Sequence, residues 1–185
     1  MAGEGRPHGE PVEVPWGTAV PDFRCFGCSP HNRTGLRLGF FTHPRGLEAR
    51  FRPGRDFESY PGLLHGGVTG AVCDETMGNL VALTHGRPVF TATMRMRYVA
   101  PLPVDAAYRC VASLREPVGR PYDARCEILD EEGQLMATAT GTFQPVDLRR
   151  ARSRLRLSDQ ESDRFLHSLT QTGWRPTDDH HHAPH

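Results

Sequence analysis

The sequence predicts an α+β domain in which an antiparallel β-sheet wraps around one central helix. Residues 63–83 read LLHGGVTGAVCDETMGNLVAL, and their apolar residues recur three to four positions apart, which is the spacing of an α-helix. Strand-like segments stand on both sides of this helix, two before it and four after it, separated by turn sequences. The turn DEEG between the last two strands is a hairpin signal, so we expect an antiparallel sheet in an α+β layer architecture.

The chain before the helix is predicted to hold a tail and two strands. Residues 1–22 are rich in Gly, Pro and Glu, and we expect them to form a disordered extension. Residues 36–42 and 47–51 are strand candidates, with HPRG as the turn between them. The segment 54–62, GRDFESYPG, is predicted to be a loop that leads into the helix.

The clearest strand pattern follows the helix, at residues 89–99. Successive side chains of a β-strand point to opposite faces, so we expect one face of this strand to cover the helix and the other to point away from it. The covering face would hold Phe90, Ala92, Met94, Met96 and Tyr98, and the other face Thr91, Thr93, Arg95 and Arg97. Residues 108–115, 122–129 and 135–143 complete the predicted sheet.

The composition changes at residue 147, so the predicted domain spans 23–146 and a basic, His-rich extension spans 147–185. Its basic run RRARSRLRL is expected to be solvated. Ser158, followed three residues later by Glu161, forms a capping-box pattern and predicts one short helix. Phe165 lies in the apolar stripe of that helix, and the final DDHHHAPH is typical of a disordered tail.

Composition excludes several classes of partner. The formal net charge is zero, which provides no electrostatic reason to expect nucleic acid or a membrane surface. We find neither the apolar core of a signal peptide nor an apolar run long enough to span a membrane. The five cysteines are odd in number and lack framework spacing, which favours a reducing, cytoplasmic location.

Cys25 and Cys28 form a C-x-x-C pair of the kind that contributes to structural zinc sites. Such a site needs four ligands. His31 offers a third, but the sequence indicates no fourth, so we expect a structural turn here, with no metal and no cofactor.

The central helix carries two chemical groups that a purely structural helix does not need. Its first turn, at Gly66 and Gly67, has free backbone N–H groups and the positive end of the helix dipole, which suit a carbonyl oxygen gaining negative charge. Asp74 puts a carboxylate on an otherwise apolar helix, where burial without a partner is costly. Asp74 is therefore a candidate catalytic group, with Glu75 beside it.

Each candidate also has a structural interpretation. Asp74 would then be a salt-bridged helix residue, His65 only a helix cap, and Thr91 an ordinary strand residue. Cys73 lies among apolar residues with nothing nearby to lower its pKa, so we expect it in the core rather than as a nucleophile.

Four features of the sequence stand together in a pattern that resembles one known family. They are CFGCSPHN followed by Gly35 and Leu36, HGG at 65–67 with Asp74 nine residues after His65, Thr91 leading the strand TATMRMRYVAP, and Gly133 in the last hairpin. Residues 23–146 thereby resemble the hotdog fold, and more narrowly the acyl-CoA thioesterases of the hydroxybenzoyl-CoA and phenylacetyl-CoA thioesterase superfamily.

The resemblance implies catalytic roles for four residues. Asp74 corresponds to the catalytic carboxylate, which acts as a base towards water or as a nucleophile, and Gly66 to the glycine whose N–H polarises the thioester carbonyl. His65 corresponds to a histidine that helps shape the site, and Thr91 to a Ser or Thr that helps position the water. Many members have Asn or Gln six residues before the histidine, where this sequence has Ser59, followed by Tyr60.

The implied reaction is hydrolysis of an acyl-CoA or acyl-carrier thioester, without metal or cofactor. The candidate substrate-binding residues are Gly67, Ser59, Tyr60, Glu75, Arg95 and Arg97, the two arginines for the phosphates of CoA. Two other functions of this fold stay open, a dehydratase or hydratase and a non-catalytic acyl-CoA-binding module. The carboxylate of Asp74 at its distance from HGG favours hydrolysis.

The spacing of HGG and Asp74 also predicts a site shared between subunits. Nine residues span roughly 13–14 Å along a helix and turn the side chain to about the opposite face. One thioester carbon cannot contact both groups, because reacting groups must lie within about 3.5 Å. We therefore expect a homodimer or a dimer of dimers in which Gly66 of one chain faces Asp74 of another, as the resemblance also implies.

Overall fold

The computed structural model describes residues 9–115, 120–155, 157–172 and 174. In chain order the main elements are β1 (Pro11–Val12), α1 (Trp16–Ala19), β2 (Gly39–His43), β3 (Gly46–Phe51), α2 (Gly66–His85), β4 (Val89–Tyr98), β5 (Tyr108–Leu114), β6 (Tyr122–Leu129), β7 (Leu135–Pro145), α3 (Leu148–Leu155) and α4 (Asp159–Gln171). The predicted α+β class is confirmed.

The strands of the described residues form one seven-stranded antiparallel sheet in the order β1-β2-β3-β5-β6-β7-β4. Helix α2 packs against β3 to β7. This is the hotdog fold, in which one main helix is held by an antiparallel sheet. The predicted strands lie within a few residues of the observed ones, and β1 is an additional strand that the sequence did not predict.

Helix α2 is the core of the domain. Val72, Cys73, Met77, Leu80 and Val81 have no exposed surface, because sheet residues pack over them. The helix ends at Gly86, which adopts the left-handed conformation that glycine favours and donates its N–H to the carbonyl of Ala82. Within the described part of the chain, no helix combines the length and the hydropathy that crossing a membrane would require.

Strand β4 contains a β-bulge that the sequence did not predict. Thr91 pairs with Phe143 and Thr93 pairs with Thr142, so Ala92 is an extra residue on the β4 side. An extra residue reverses the alternation of side chains, and the predicted faces are therefore wrong on one side of the bulge.

The reversal changes which residues cover the helix. Thr91, predicted to point away from α2, contacts Asp74 on that helix. Phe90, predicted to cover the helix, is instead 54% exposed. Beyond the bulge the prediction holds, because Met94 and Tyr98 both approach the first half of α2.

The prediction that residues 1–22 are disordered is wrong for residues 9–22, which contain β1 and α1. Strand β1 pairs with β2, and α1 buries Trp16, which is 7% exposed. The indole of Trp16 stacks on Phe165 of α4 with ring centroids 5.4 Å apart. The Gly- and Pro-rich composition hid these elements because their partners are distant in sequence. Residues 1–8 lie outside the described residues.

Among the described residues two helices follow β7, where the sequence predicts one. Helix α3 occupies most of the basic run, which the sequence analysis expected to be solvated without predicting a helix there. Helix α4 begins as predicted, since the Ser158 hydroxyl accepts the Glu161 N–H at 3.2 Å and the Glu161 carboxylate accepts the Ser158 N–H at 2.8 Å. The His-rich tail lies outside the described residues.

Candidate active site

A cleft of about 200 Å³ runs beside the middle of α2. Its lining residues are Trp16, Phe23, Asp74, Glu75, Gly78, Asn79, Ala82, Pro88, Val89, Thr91, Phe143 and Phe165. Two carboxylates therefore lie in a cleft whose walls are largely apolar, with aromatic rings from α1, β7 and α4. Apolar walls with a few polar groups are typical of small-molecule sites.

Asp74 is half-buried in this cleft and is held by Thr91. The Thr91 hydroxyl donates to Asp74 Oδ1 at 2.5 Å. This contact exists because the bulge at Ala92 turns Thr91 towards the helix. The salt-bridge interpretation of Asp74 finds no support, since none of the ion pairs between described residues includes it.

The start of α2 is organised by His65 and Tyr98. The Gly67 N–H donates to His65 Nδ1 at 2.9 Å, so His65 caps the helix. The Tyr98 hydroxyl donates to the Gly66 carbonyl at 2.8 Å and ties β4 to the helix start. Within the described residues, the Gly66 N–H has no acceptor in the domain, whereas the Gly67 N–H is already used.

The helix start and Asp74 are not brought together within one chain. Eight residues of continuous helix separate Gly66 from Asp74, a rise of about 12 Å. Gly66 and His65 are also absent from the residues that line the Asp74 cleft. One chain therefore presents the two groups at separate places.

Residues 61–137, from the loop before α2 into β7, match the family model of the thioesterase superfamily. Over these residues the chain is similar to the thioesterase superfamily.

Two curated proteins are similar to part of this chain. Human acyl-coenzyme A thioesterase THEM5 is 32% identical over 108 residues, which cover 55% of this chain and 43% of that protein. Bovine acyl-coenzyme A thioesterase THEM4 is 29% identical over 98 residues, which cover 52% of this chain and 40% of that protein. The match thus spans less than half the length of either relative.

A solved thioesterase superfamily protein has the same fold. It superimposes with a TM-score of 0.59 at 20% identity and covers 65% of this chain and 62% of that chain.

Glu75 has a different environment from Asp74. Asn79 Nδ2 donates to Glu75 Oε1 at 2.9 Å, and the Cys25 thiol lies 3.4 and 3.3 Å from the two carboxylate oxygens. Gly27 packs so closely on this carboxylate that an added Cβ would lie 2.4 Å from it. Glu75 is thus held by the turn around Gly27, whereas Asp74 is held by β4.

The other predicted substrate-binding residues lie away from the cleft. Ser59 donates its backbone N–H to the Leu63 carbonyl, and Tyr60 is 75% exposed in the loop before α2. Arg95 and Arg97 are exposed on β4, in alternation with the residues that approach the helix. One chain therefore does not bring these four side chains into the cleft beside Asp74.

The sequence missed the aromatic wall of the cleft. Trp16 and Phe165 come from the two extensions, and Phe23 comes from the segment before β2. The apolar stripe predicted for α4 indicated that this helix packs against another surface, but it did not indicate which surface. Similarly, a single large apolar residue, Trp16, in a Pro-rich segment was the feature that could have indicated that α1 packs against the domain.

The five cysteines are free thiols in two groups. Cys73 has no exposed surface, as predicted for a core residue, and contact with Cys110 together with burial raises its pKa. The other group lies at the C-x-x-C turn, where a hydrogen bond from Cys28 lowers the pKa of Cys25 and the same contact raises that of Cys28.

Proposed function

We propose that this domain hydrolyses an acyl-CoA thioester to the free acid and coenzyme A. The observation that carries the proposal is the Asp74 carboxylate, held by Thr91 in a mainly apolar cleft of a thioesterase superfamily domain. The names of the two curated relatives support an acyl-CoA substrate. An acyl group on a carrier protein presents the same thioester and is the closest alternative.

The proposed chemistry uses only protein groups, Asp74 from one copy of the chain and Gly66 from a second copy. Asp74 either removes a proton from water as that water attacks the thioester carbon, or attacks the carbon itself. The carbonyl oxygen gains negative charge in the tetrahedral intermediate and accepts the N–H of Gly66 at a helix start. The C–S bond then breaks, and the departing thiolate takes up the proton that water gave to Asp74, which leaves the free acid. In the nucleophilic route the C–S bond breaks to leave an anhydride between the acyl group and Asp74, and a water molecule then hydrolyses this anhydride and supplies the proton for the thiolate. Thr91 orients the Asp74 carboxylate towards the reacting centre.

The contacts of the two carboxylates favour Asp74 over Glu75 as the reacting group. Glu75 already interacts with Asn79 and Cys25, and Gly27 leaves its carboxylate little room to move. Among the described residues, Thr91 is the one side chain that donates a hydrogen bond to Asp74, which leaves the other carboxylate oxygen for a water molecule. His65 contributes by fixing the first turn of α2.

A homodimer would supply the helix start that one chain keeps away from Asp74. Strand β4 is a ten-residue edge of the sheet, and long open edges in native proteins are normally covered or paired. Its exposed apolar residues are Phe90, Met94, Tyr98 and the following Val99. A second copy seated on this edge would bury them and bring its own α2 alongside, which supports a dimer or a dimer of dimers. Arg95 and Arg97 on the same strand are the proposed cations for the CoA phosphates.

The aromatic wall is proposed to select the acyl group. Phe165 and Trp16, which stack on each other, both line the cleft, and Phe143 also lines it. A larger apolar or aromatic acyl group would contact these rings, whereas an acetyl group is too short to contact all of them.

Replacing Phe165 with alanine should therefore change selectivity more than catalysis. We expect kcat/KM for the preferred larger acyl-CoA to fall about tenfold, since small losses of contact in an apolar pocket cost roughly that much. The kcat/KM for acetyl-CoA should change less than about threefold. Leu166→Ala is the matched control on the same helix, because Leu166 does not line the cleft. Equal losses for both substrates, or the same shift in the control, would contradict the assignment.

The proposal is tested by a hydrolysis screen that follows thiol release. Acyl-CoA substrates of increasing chain length and with aryl groups are compared with the matching acyl-pantetheines and with acyl-carrier proteins. We expect turnover of at least one class of acyl-CoA. Binding without thiol release would favour the non-catalytic module, and addition or loss of water at an enoyl-CoA would favour the hydratase or dehydratase.

A further inference from the structure

The C-x-x-C turn acquires a third potential metal ligand in the folded chain. Cys25 and Cys28 lie in the segment before β2, and Glu75 lies on α2, 50 residues after Cys25. Folding brings one ligand atom from each of the three to within 4.8 Å of one another. His31, the third ligand that the sequence suggested, is exposed and does not join this group.

The distances match the coordination sphere of zinc. Cys25 Sγ lies 3.3 and 3.4 Å from the two oxygens of Glu75. In a tetrahedral site with Zn–S near 2.3 Å and Zn–O near 2.0 Å, a sulfur and an oxygen ligand are about 3.5 Å apart. Sulfur and carboxylate ligands at these separations therefore need little movement to accept the ion.

The surrounding contacts orient the ligands as they do in metal sites. The Gly27 N–H donates to Cys25 Sγ at 3.3 Å, which favours the thiolate. Asn79 donates to the Glu75 carboxylate at 2.9 Å and fixes its direction. A side chain at position 27 would displace Glu75, so glycine at that position keeps the carboxylate beside the thiols.

We propose that Cys25, Cys28 and Glu75 bind one zinc ion that joins the N-terminal turn to α2. Two thiolates and one carboxylate are a ligand set that zinc accepts, and each thiol releases its proton to solvent when the ion binds. Water completes the coordination, because no other His, Cys, Asp or Glu among the described residues joins the group. The site differs from the sequence-based expectation because Glu75 reaches the turn only in the folded chain. The proposal does not depend on the hydrolytic function.

A second group of three thiols, from Cys73, Cys110 and Cys126, serves as an internal comparison. All three are buried in the core between α2 and the sheet. Their group contains no carboxylate, and the Cys126 thiol donates to the Cys73 carbonyl. Buried cysteines in such surroundings behave as small apolar residues.

The test measures metal binding by the full chain with zinc chloride and with cobalt(II), which takes tetrahedral zinc sites. Thiolate-to-cobalt charge transfer requires a cysteine ligand, so histidines of the C-terminal tail cannot produce it. The altered chains are Cys28→Ser, Cys25→Ser and Glu75→Gln. Cys73→Ala and Glu127→Gln are the controls, because they remove a cysteine from the other group and an exposed, paired glutamate. Circular dichroism shows whether each variant is folded.

We expect about one thiolate-bound metal ion per chain, and a rise in Tm of about 5–10 °C at zinc concentrations near 100 times Kd. Both should persist in the two controls. The cysteine variants should lose the charge-transfer band, and Glu75→Gln should bind at least about tenfold more weakly. No charge-transfer band in the unaltered, reduced chain would overturn the proposal, as would a band that survives Cys28→Ser but disappears in Cys73→Ala.

Discussion

Replacing Asp74 with alanine or asparagine is expected to lower kcat for thioester hydrolysis at least about a hundredfold. That is the usual scale for the loss of a positioned base, and the loss of a nucleophile would cost more. Asp74→Asn is the sharper variant, because the amide oxygen can still accept the Thr91 hydroxyl while the negative charge is gone. Steady-state kcat and KM with the best acyl-CoA from the screen are the measurement.

Glu75→Gln is the matched control for this prediction. It removes the neighbouring carboxylate on the same helix without changing the size of the side chain. We expect it to retain most of kcat, because Glu75 is engaged with Asn79 and the C-x-x-C turn rather than with Thr91. If Glu75→Gln loses turnover while Asp74→Asn keeps it, the reacting carboxylate is Glu75. If neither variant lowers kcat, the proposal that hydrolysis takes place in this cleft is wrong.

Mixing two inactive variants is expected to restore about a quarter of wild-type activity. Asp74→Ala removes the carboxylate, and Gly66→Val blocks the approach of a carbonyl to the helix start. In a dimer whose sites each combine Gly66 of one chain with Asp74 of the other, a mixed dimer has one site with both defects and one with neither. Random pairing makes half of the dimers mixed, and half of their sites are intact, so about a quarter of the activity returns.

The design depends on verified mixing. The two variants carry different affinity tags, are refolded together, and are first assayed as the unfractionated mixture, where about a quarter of the activity is expected. Purification over both tags then isolates the mixed dimers, whose activity should be about half of the wild-type value. Asp74→Ala mixed with Asp74→Asn is the control, since every site then lacks the carboxylate and no activity should return. Inactive mixed dimers would count against a shared site, and so would full activity of a monomer at high dilution.

Local sequence patterns were sufficient for most elements of the fold. Helix α2 was predictable because its apolar residues follow the helical period and Gly66 and Gly67 mark its start. The start of α4 was predictable from Ser158 and Glu161, whose hydrogen bonds are local. The short elements β1 and α1 were not, because two- and four-residue segments have no period of their own and depend on distant partners.

The candidate site was also predictable from local sequence only in part. Asp74 and Glu75 were recognisable as carboxylates on an apolar helix, but the sequence alone did not separate their environments. The bulge at Ala92 turns Thr91 towards Asp74, and no glycine or proline marks it in the strand. Phe165 reaches the cleft because α4 docks on α1, a contact between the two ends of the chain.

The sequence by itself determined the α+β class, the central helix with its carboxylates, and most of the strands, because those depend on residue periods and turn signals between near neighbours. The tertiary structure decided which carboxylate lies against β4, which aromatic rings line the cleft, and that Glu75 meets Cys25 and Cys28. These outcomes join residues tens of positions apart. They follow from how the helix, the sheet and the terminal segments pack against one another, and local sequence patterns do not predict that packing.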